Sequence, residues 1–178
     1  AFGDFLNDNG FADLAAVPTD VLSQVLLNHV IDGAISSTDL TGLGNGYTNS
    51  KATGAGGNTM SIYYNTDSGV VFNGISTVAT ADVVGTNGII HAVDTVIGLP
   101  TVVTFATADP NFSTLVSALT TSTPATDFAA ILSRTETGNA DNIDPDFTVF
   151  APTNDAFAAI TIPTDETVLT NVLLHHVI

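Results

Sequence analysis

In 178 residues the chain carries 18 acidic and two basic side chains, for a net charge of −16, with 44% apolar residues and no cysteine. Such a surface excludes nucleic acid, since Lys51 and Arg134 are the whole supply of cations against phosphate, and the missing thiols exclude thiol catalysis and thiolate metal sites. The apolar share is that of a chain with a core to bury, and no apolar run reaches the ~18 residues of a membrane span.

The first clear element is PTDVLSQVLLNHVI, which sets Val21, Leu22, Val25, Leu26 and His29 on one helical face. From about Asp32 to Gly98 the chain turns rich in Gly, Thr, Asn and Val. GLGNGYTNSKATGAGGNT reads as a loop by composition. MSIYY and GVVF read as strands. VVF-NG-ISTV reads as a hairpin, with Asn73-Gly74 supplying the two positive-φ residues of a type I′ turn. Asn87-Gly88 precedes a further strand, IIHAVDTVIG.

Helical spacing then returns. In DPNFSTLVSALTT, Phe112, Leu115, Val116 and Leu119 share a face, behind Asp109 as N-cap and Pro110 at the first helical position. TDFAAILSR repeats the pattern with Phe128, Ile131 and Leu132. TDETVLTNVLLHHVI opens on Thr164, Asp165 and Glu166, favourable to the helix dipole, and aligns Val168, Leu169, Val172, Leu173 and His176. Helices and strands are segregated along the chain, which predicts an α+β fold.

One phrase occurs twice. VLLNHVI at Val25–Ile31 nearly repeats as VLLHHVI at Val172–Ile178, 147 positions later. The match extends back through PTDVL and PTDETVL to Ala1-Phe2 and Ala156-Phe157. A period of that size suits tandem domains and is too long for a solenoid unit.

FTVFAPTNDAF at Phe147–Phe157 resembles the first signature of the fasciclin domain family, and NGIIHAVDTVIGLP at Asn87–Pro100 resembles the second. The LLxHVI segment occurs in both copies, and NFSTLVSAL is similar to the helix that opens such a domain. The resemblance implies a fasciclin-like β-wedge or sandwich with helices packed along one side. It also implies the signature residues Phe150, Thr153, Asn154, Phe157, His29, His176, Asn87, Gly88, His91 and Asp94. In the family's order, residues 1–100 form a domain lacking its N-terminal third, and 101–178 form the N-terminal half of a second. The expectation is a window on a tandem array, or a subunit whose partial domains complete one another.

Candidate chemistry is sparse. His29, His91 and His176 are expected as buried structural histidines bonded to oxygen atoms, a role that the resemblance also implies. Neighbouring His175 and His176 diverge on a helix and cannot share a metal well. No nucleophile elbow, H-E-x-x-H, Walker loop or dinucleotide fingerprint is present, so no enzyme is expected. Asn7, Asn9 and Gly10 echo a calcium loop that fails at both end positions, Phe5 and Ala16. Asp141, Asp144 and Asp146 cluster before the first signature and are the weak metal candidates, with calcium as the ion and solvated turn residues as the plainer reading. By the resemblance, Asp82-Val83 matches an Asp-Ile pair implicated in integrin binding in animal members of the family.

The functional expectation is an extracellular or cell-surface, secreted module for cell adhesion or matrix, working by repeated weak contacts with protein or glycan surfaces or with neighbouring fasciclin modules. No cofactor is expected. One rival is an extracellular filament built by head-to-tail completion of partial domains. Another is a glycan-binding module using Gly44–Asn58 with Tyr47, Tyr63 or Tyr64.

Overall fold

The computed structural model describes residues 1–134 and 146–178. They form two compact units, Ala1–Leu99 and Pro100–Ile178.

The first unit begins with α1 (Phe2–Asp8), a short turn at Leu14–Ala16, and α2 (Thr19–Leu27). The expected apolar face of α2 is only partly covered: Val25 is buried, while Leu26 stays 50% exposed. The next helix, α3 (Ser37–Leu43), falls where the sequence reading places none. Its signal was present. Ser36 and Asp39 form a reciprocal capping box, in which Ser36 Oγ accepts the Asp39 N–H and the Asp39 carboxylate accepts the Ser36 N–H.

Five antiparallel strands follow in chain order: β1 (Gly46–Thr53), β2 (Thr59–Asn65), β3 (Val71–Phe72), β4 (Ser76–Val84) and β5 (Ile89–Val93). β1 corrects the expected loop. Its inward positions are small, Ser50 and Ala52, because this strand lies against α2 and a bulky residue would not fit. Small inward and polar outward residues look like loop composition. Of the tyrosines named for a glycan platform, Tyr63 and Tyr64 on β2 are buried, while Tyr47 on β1 is 46% exposed, its ring tilted against Tyr63 at 5.1 Å.

The Asn-Gly hairpin forms, with Asn73 at φ 49° and Gly74 at φ 73°, but its register moves. Phe72 pairs with Ser76 instead of Ile75. The reason is Asn73, which is buried and exchanges two bonds with Tyr63: its N–H goes to the Tyr63 carbonyl and its Oδ1 accepts the Tyr63 N–H, both at 2.9 Å. Asn73 thus extends the β2 ladder and pushes Ile75 into solvent, 56% exposed. The core of this unit gathers Leu40, Ile62, Tyr64, Val70, Phe72 and Ile97.

The second unit is helical: α4 (Val102–Ala108), α5 (Ser113–Thr120), α6 (Phe128–Leu132), α7 (Asn154–Ala158) and α8 (Glu166–Leu174). Asp109 and Pro110 open the turn before α5 as the sequence predicts, with Asp109 accepting the Asn111 N–H. Asp165 caps α8 by accepting the Val168 N–H. Leu115, Ala118, Phe128, Phe157, Leu169 and Leu173 form its core. Val168 and Val172, expected on that face, remain 49% and 40% exposed. The five-strand sheet and the helices together make the α+β fold that the sequence implied.

Candidate functional site

The end of α2 works as a clasp. Asn28 is fully buried, and its Nδ2 donates to the carbonyls of Gly98 at 2.9 Å and Ile97 at 3.4 Å, while its Oδ1 accepts Ser50 Oγ at 2.8 Å. Next to it, His29 Nε2 accepts the Ile97 N–H at 2.9 Å, so Nδ1 carries the proton and donates to the Val25 carbonyl at 2.7 Å. Together these two residues fasten the Ile97–Gly98 segment to the helix. His91 is bonded likewise: the Asp82 N–H reaches its Nδ1, and its Nε2 donates to the Ile35 carbonyl at 2.9 Å. His176 Nδ1 donates to the Phe150 carbonyl at 2.9 Å. All three histidines hold backbone, but none is buried. His29 is exposed and the other two are half-buried, which corrects the expected burial. His29 and His176 follow the ends of α2 and α8, and His91 lies at the middle of the exposed ribbon strand β5, so each ring bonds backbone without being covered.

The β4–β5 hairpin is an exposed ribbon. Between the Thr80–Ala92 and Val83–Ile90 pairs, two residues of β4 face one of β5, a bulge that turns Asp82 to φ +59°. The bulge aims the Asp82 carboxylate at the first turn of α3, where it accepts the Ser37 N–H at 2.8 Å and Ser37 Oγ at 2.5 Å. Val83 points away, paired with Ile90, and the two are 48% and 66% exposed. So the acid of the Asp82-Val83 pair is engaged within the unit and the apolar member faces solvent. At the base of the ribbon, Asp94 Oδ1 accepts the Thr77 N–H at 2.8 Å. Asn87 and Gly88 form the hairpin tip.

These bonds hold carboxylates below the ordinary Asp value of 3.8: Asp82 through Ser37, Asp94 through the Thr77 N–H, Asp39 through Ser36. The folded state then binds these protons less readily than the unfolded chain does. Their stabilisation is present above the ordinary value and is lost as pH falls through the lowered folded value. Asp82→Asn is therefore expected to lower the melting temperature at neutral pH. The gap from wild type should close as pH falls below the ordinary Asp value and through the lowered folded one; thermal melts across acid pH check it, and a gap independent of pH contradicts the assignment.

In the second unit the signature builds a joint. Asn154 Oδ1 accepts the Thr114 N–H at 2.9 Å and its Nδ2 donates to the Pro110 carbonyl at 2.9 Å, tying α7 to the start of α5. Thr153 caps α7 and Phe157 is buried in the core, while Phe150 is 60% exposed. Asp146 is exposed; Asp141 and Asp144 lie outside the described residues. Among the described residues no three His, Asp or Glu side chains converge as a metal site.

A family model for the fasciclin domain matches residues 2–100 and 110–178, both units. The chain belongs to the fasciclin domain family. Fasciclin domains are in general non-catalytic adhesion or matrix modules that mediate protein contacts, usually outside the cell or at its surface. No curated protein matches this chain. Among its described residues no helix is long and apolar enough to cross a membrane. Sequence reasoning missed Asn28 as the centre of the fasciclin clasp; a polar residue inside an apolar run, one position before a structural His, was the available signal.

Proposed function

We propose that this fasciclin chain is an extracellular adhesion or matrix module that works by weak contacts multiplied through repetition. The observation that carries this is the Val83–Ile90 pair, a bare apolar couple on a ribbon whose charged neighbour, Asp82, is already engaged. Apolar cross-strand pairs rimmed by polar residues mark protein-contact surfaces. One such small patch binds weakly, and repetition raises avidity without strengthening any single site. The high negative charge keeps dense arrays soluble.

Beads coated with the chain at graded density, applied to surfaces printed with matrix proteins and glycans, test the reading. Attachment is expected to rise far more steeply than density. Val83→Asp should cut it several-fold while leaving stability within about 0.5 kcal/mol. Coated beads that attach no better than bare ones at every density would refute it.

A further inference from the structure

Asparagine followed by glycine carries a chemistry of its own. The glycine amide nitrogen can attack the asparagine side-chain carbonyl, because no Cβ on the glycine shields it. The chain holds four such pairs: Asn9-Gly10, Asn45-Gly46, Asn73-Gly74 and Asn87-Gly88. Attack needs a side chain free to turn onto that nitrogen, and the fold allows this unequally.

Three of the pairs are tied. Asn9 Nδ2 donates to the Phe5 carbonyl at 2.8 Å, and the Gly10 N–H donates to the Asn7 carbonyl at 3.2 Å. Asn45 Oδ1 accepts the Thr66 N–H at 2.7 Å, and its Nδ2 donates to the Asp67 carboxylate at 3.1 Å. Asn73 is buried, with its Oδ1 on the Tyr63 N–H. Asn87 differs. It is exposed at the tip of the β4–β5 hairpin, and among the described residues its side chain makes no hydrogen bond. The Gly85 N–H donates to the Gly88 carbonyl at 2.8 Å, but the Gly88 N–H does not make the return bond that a hydrogen-bonded antiparallel pair exchanges. The turn itself does not demand glycine here: Gly88 has no positive φ, and a Cβ on it would meet nothing within 4 Å.

We propose that Asn87 is a self-modification site, the Asn-Gly pair of the folded chain that converts spontaneously to aspartate and isoaspartate with water as the only co-reactant. The Gly88 amide nitrogen, having lost its proton to solvent base, bonds to Asn87 Cγ. The Cγ–Nδ2 bond breaks, and Nδ2 takes up a proton and leaves as ammonia. Water then adds to one carbonyl of the cyclic imide and the ring C–N bond opens. Opening one way gives aspartate; opening the other way gives isoaspartate, whose main chain runs through the former side chain. One water is consumed, one ammonia is released, and nothing is oxidised or reduced. Either product adds a negative charge. Isoaspartate also adds a methylene to the backbone of the turn that joins the Val84–Ile89 and Val83–Ile90 pairs, so the outer part of the ribbon loosens. The proposal stands whether or not the ribbon is a contact surface.

The test ages the whole folded chain at mildly alkaline pH and follows each pair by mass spectrometry of peptic peptides, with chromatography separating the isoaspartyl from the aspartyl form. The Asn87 peptide is expected to convert about tenfold or more faster than those of Asn9, Asn45 and Asn73, a barrier difference of about 1.4 kcal/mol. In urea, where the fold no longer sorts them, the four rates should draw together. Gly88→Ala should slow conversion at Asn87 about tenfold or more without lowering the melting temperature, since its Cβ crowds the attacking nitrogen. In the converted chain, amide exchange should quicken in β4 and β5 near the tip and stay as it was in β1 to β3. Equal rates at the four pairs in the folded chain, another pair converting first, or Gly88→Ala converting as fast as wild type overturns the proposal. Ribbon exchange that is unchanged in the fully converted chain overturns the loosening.

Discussion

Asn28→Ala is expected to destabilise the first unit by about 3 kcal/mol, although the side chain carries no charge. The side chain is fully buried and makes one bond to each of Ile97, Gly98 and Ser50. Alanine would leave the buried Ile97 carbonyl and the half-buried Gly98 carbonyl without this donor, and would take one of two acceptors from the buried Ser50 hydroxyl, whose bond to the Met60 carbonyl at 3.3 Å remains; buried groups orphaned in this way cost more than the net worth of the bonds. The repeat supplies the control. His175 stands where Asn28 stands in the first copy and is exposed, so His175→Ala should change stability by less than about 0.5 kcal/mol. Urea denaturation read by tyrosine emission suits the first variant, because Tyr47, Tyr63 and Tyr64 all lie in the first unit and the chain has no tryptophan. A loss below about 1 kcal/mol for Asn28→Ala would mean that the clasp is not holding the Ile97–Gly98 segment.

The same residue shows where sequence reading succeeds and stops. Helix α5 was legible because Asp109, Pro110 and the Leu115–Leu119 spacing all point one way, and local agreement of that kind survives folding. The Asn73-Gly74 turn was legible for the same reason, since two adjacent positive-φ residues have few uses. Its register was not, because the Asn73 bonds to Tyr63 join residues ten positions apart. β1 was hidden because Ser50 and Ala52 are small for a tertiary reason, the closeness of α2. Asp82 carried a family expectation of contact with a partner. What the sequence could not show is the bulge that turns its carboxylate onto Ser37 and leaves Val83 outside. The repeat, by contrast, was plain, because VLLNHVI and VLLHHVI differ at a single position.

Phe128→Ala should have the largest effect in the second unit, about 4 kcal/mol. Phe128 is 2% exposed and lies in the cluster formed with Leu115, Ala118, Phe157, Leu169 and Leu173. It sits at the start of α6, a helix of only five residues that propensity alone could not hold. Removing the ring leaves a cavity that short helices with separate caps cannot close by a small collective shift, so the cost should fall near the upper part of the large-to-small range. Since small domains are stable by only about 5–15 kcal/mol, a unit of this size would lose much of its margin. Two signals separate the units. Helical ellipticity reports strongly on the second, which is built of helices, and tyrosine emission reports on the first alone. The expected result is an ellipticity transition that falls or broadens while the tyrosine midpoint stays within a few degrees of wild type. Movement of both signals together would mean that the two units unfold as one cooperative block; movement of neither would mean that Phe128 does not sit at the centre of a core. Phe128→Leu, which keeps most of the volume, should recover the greater part of the loss.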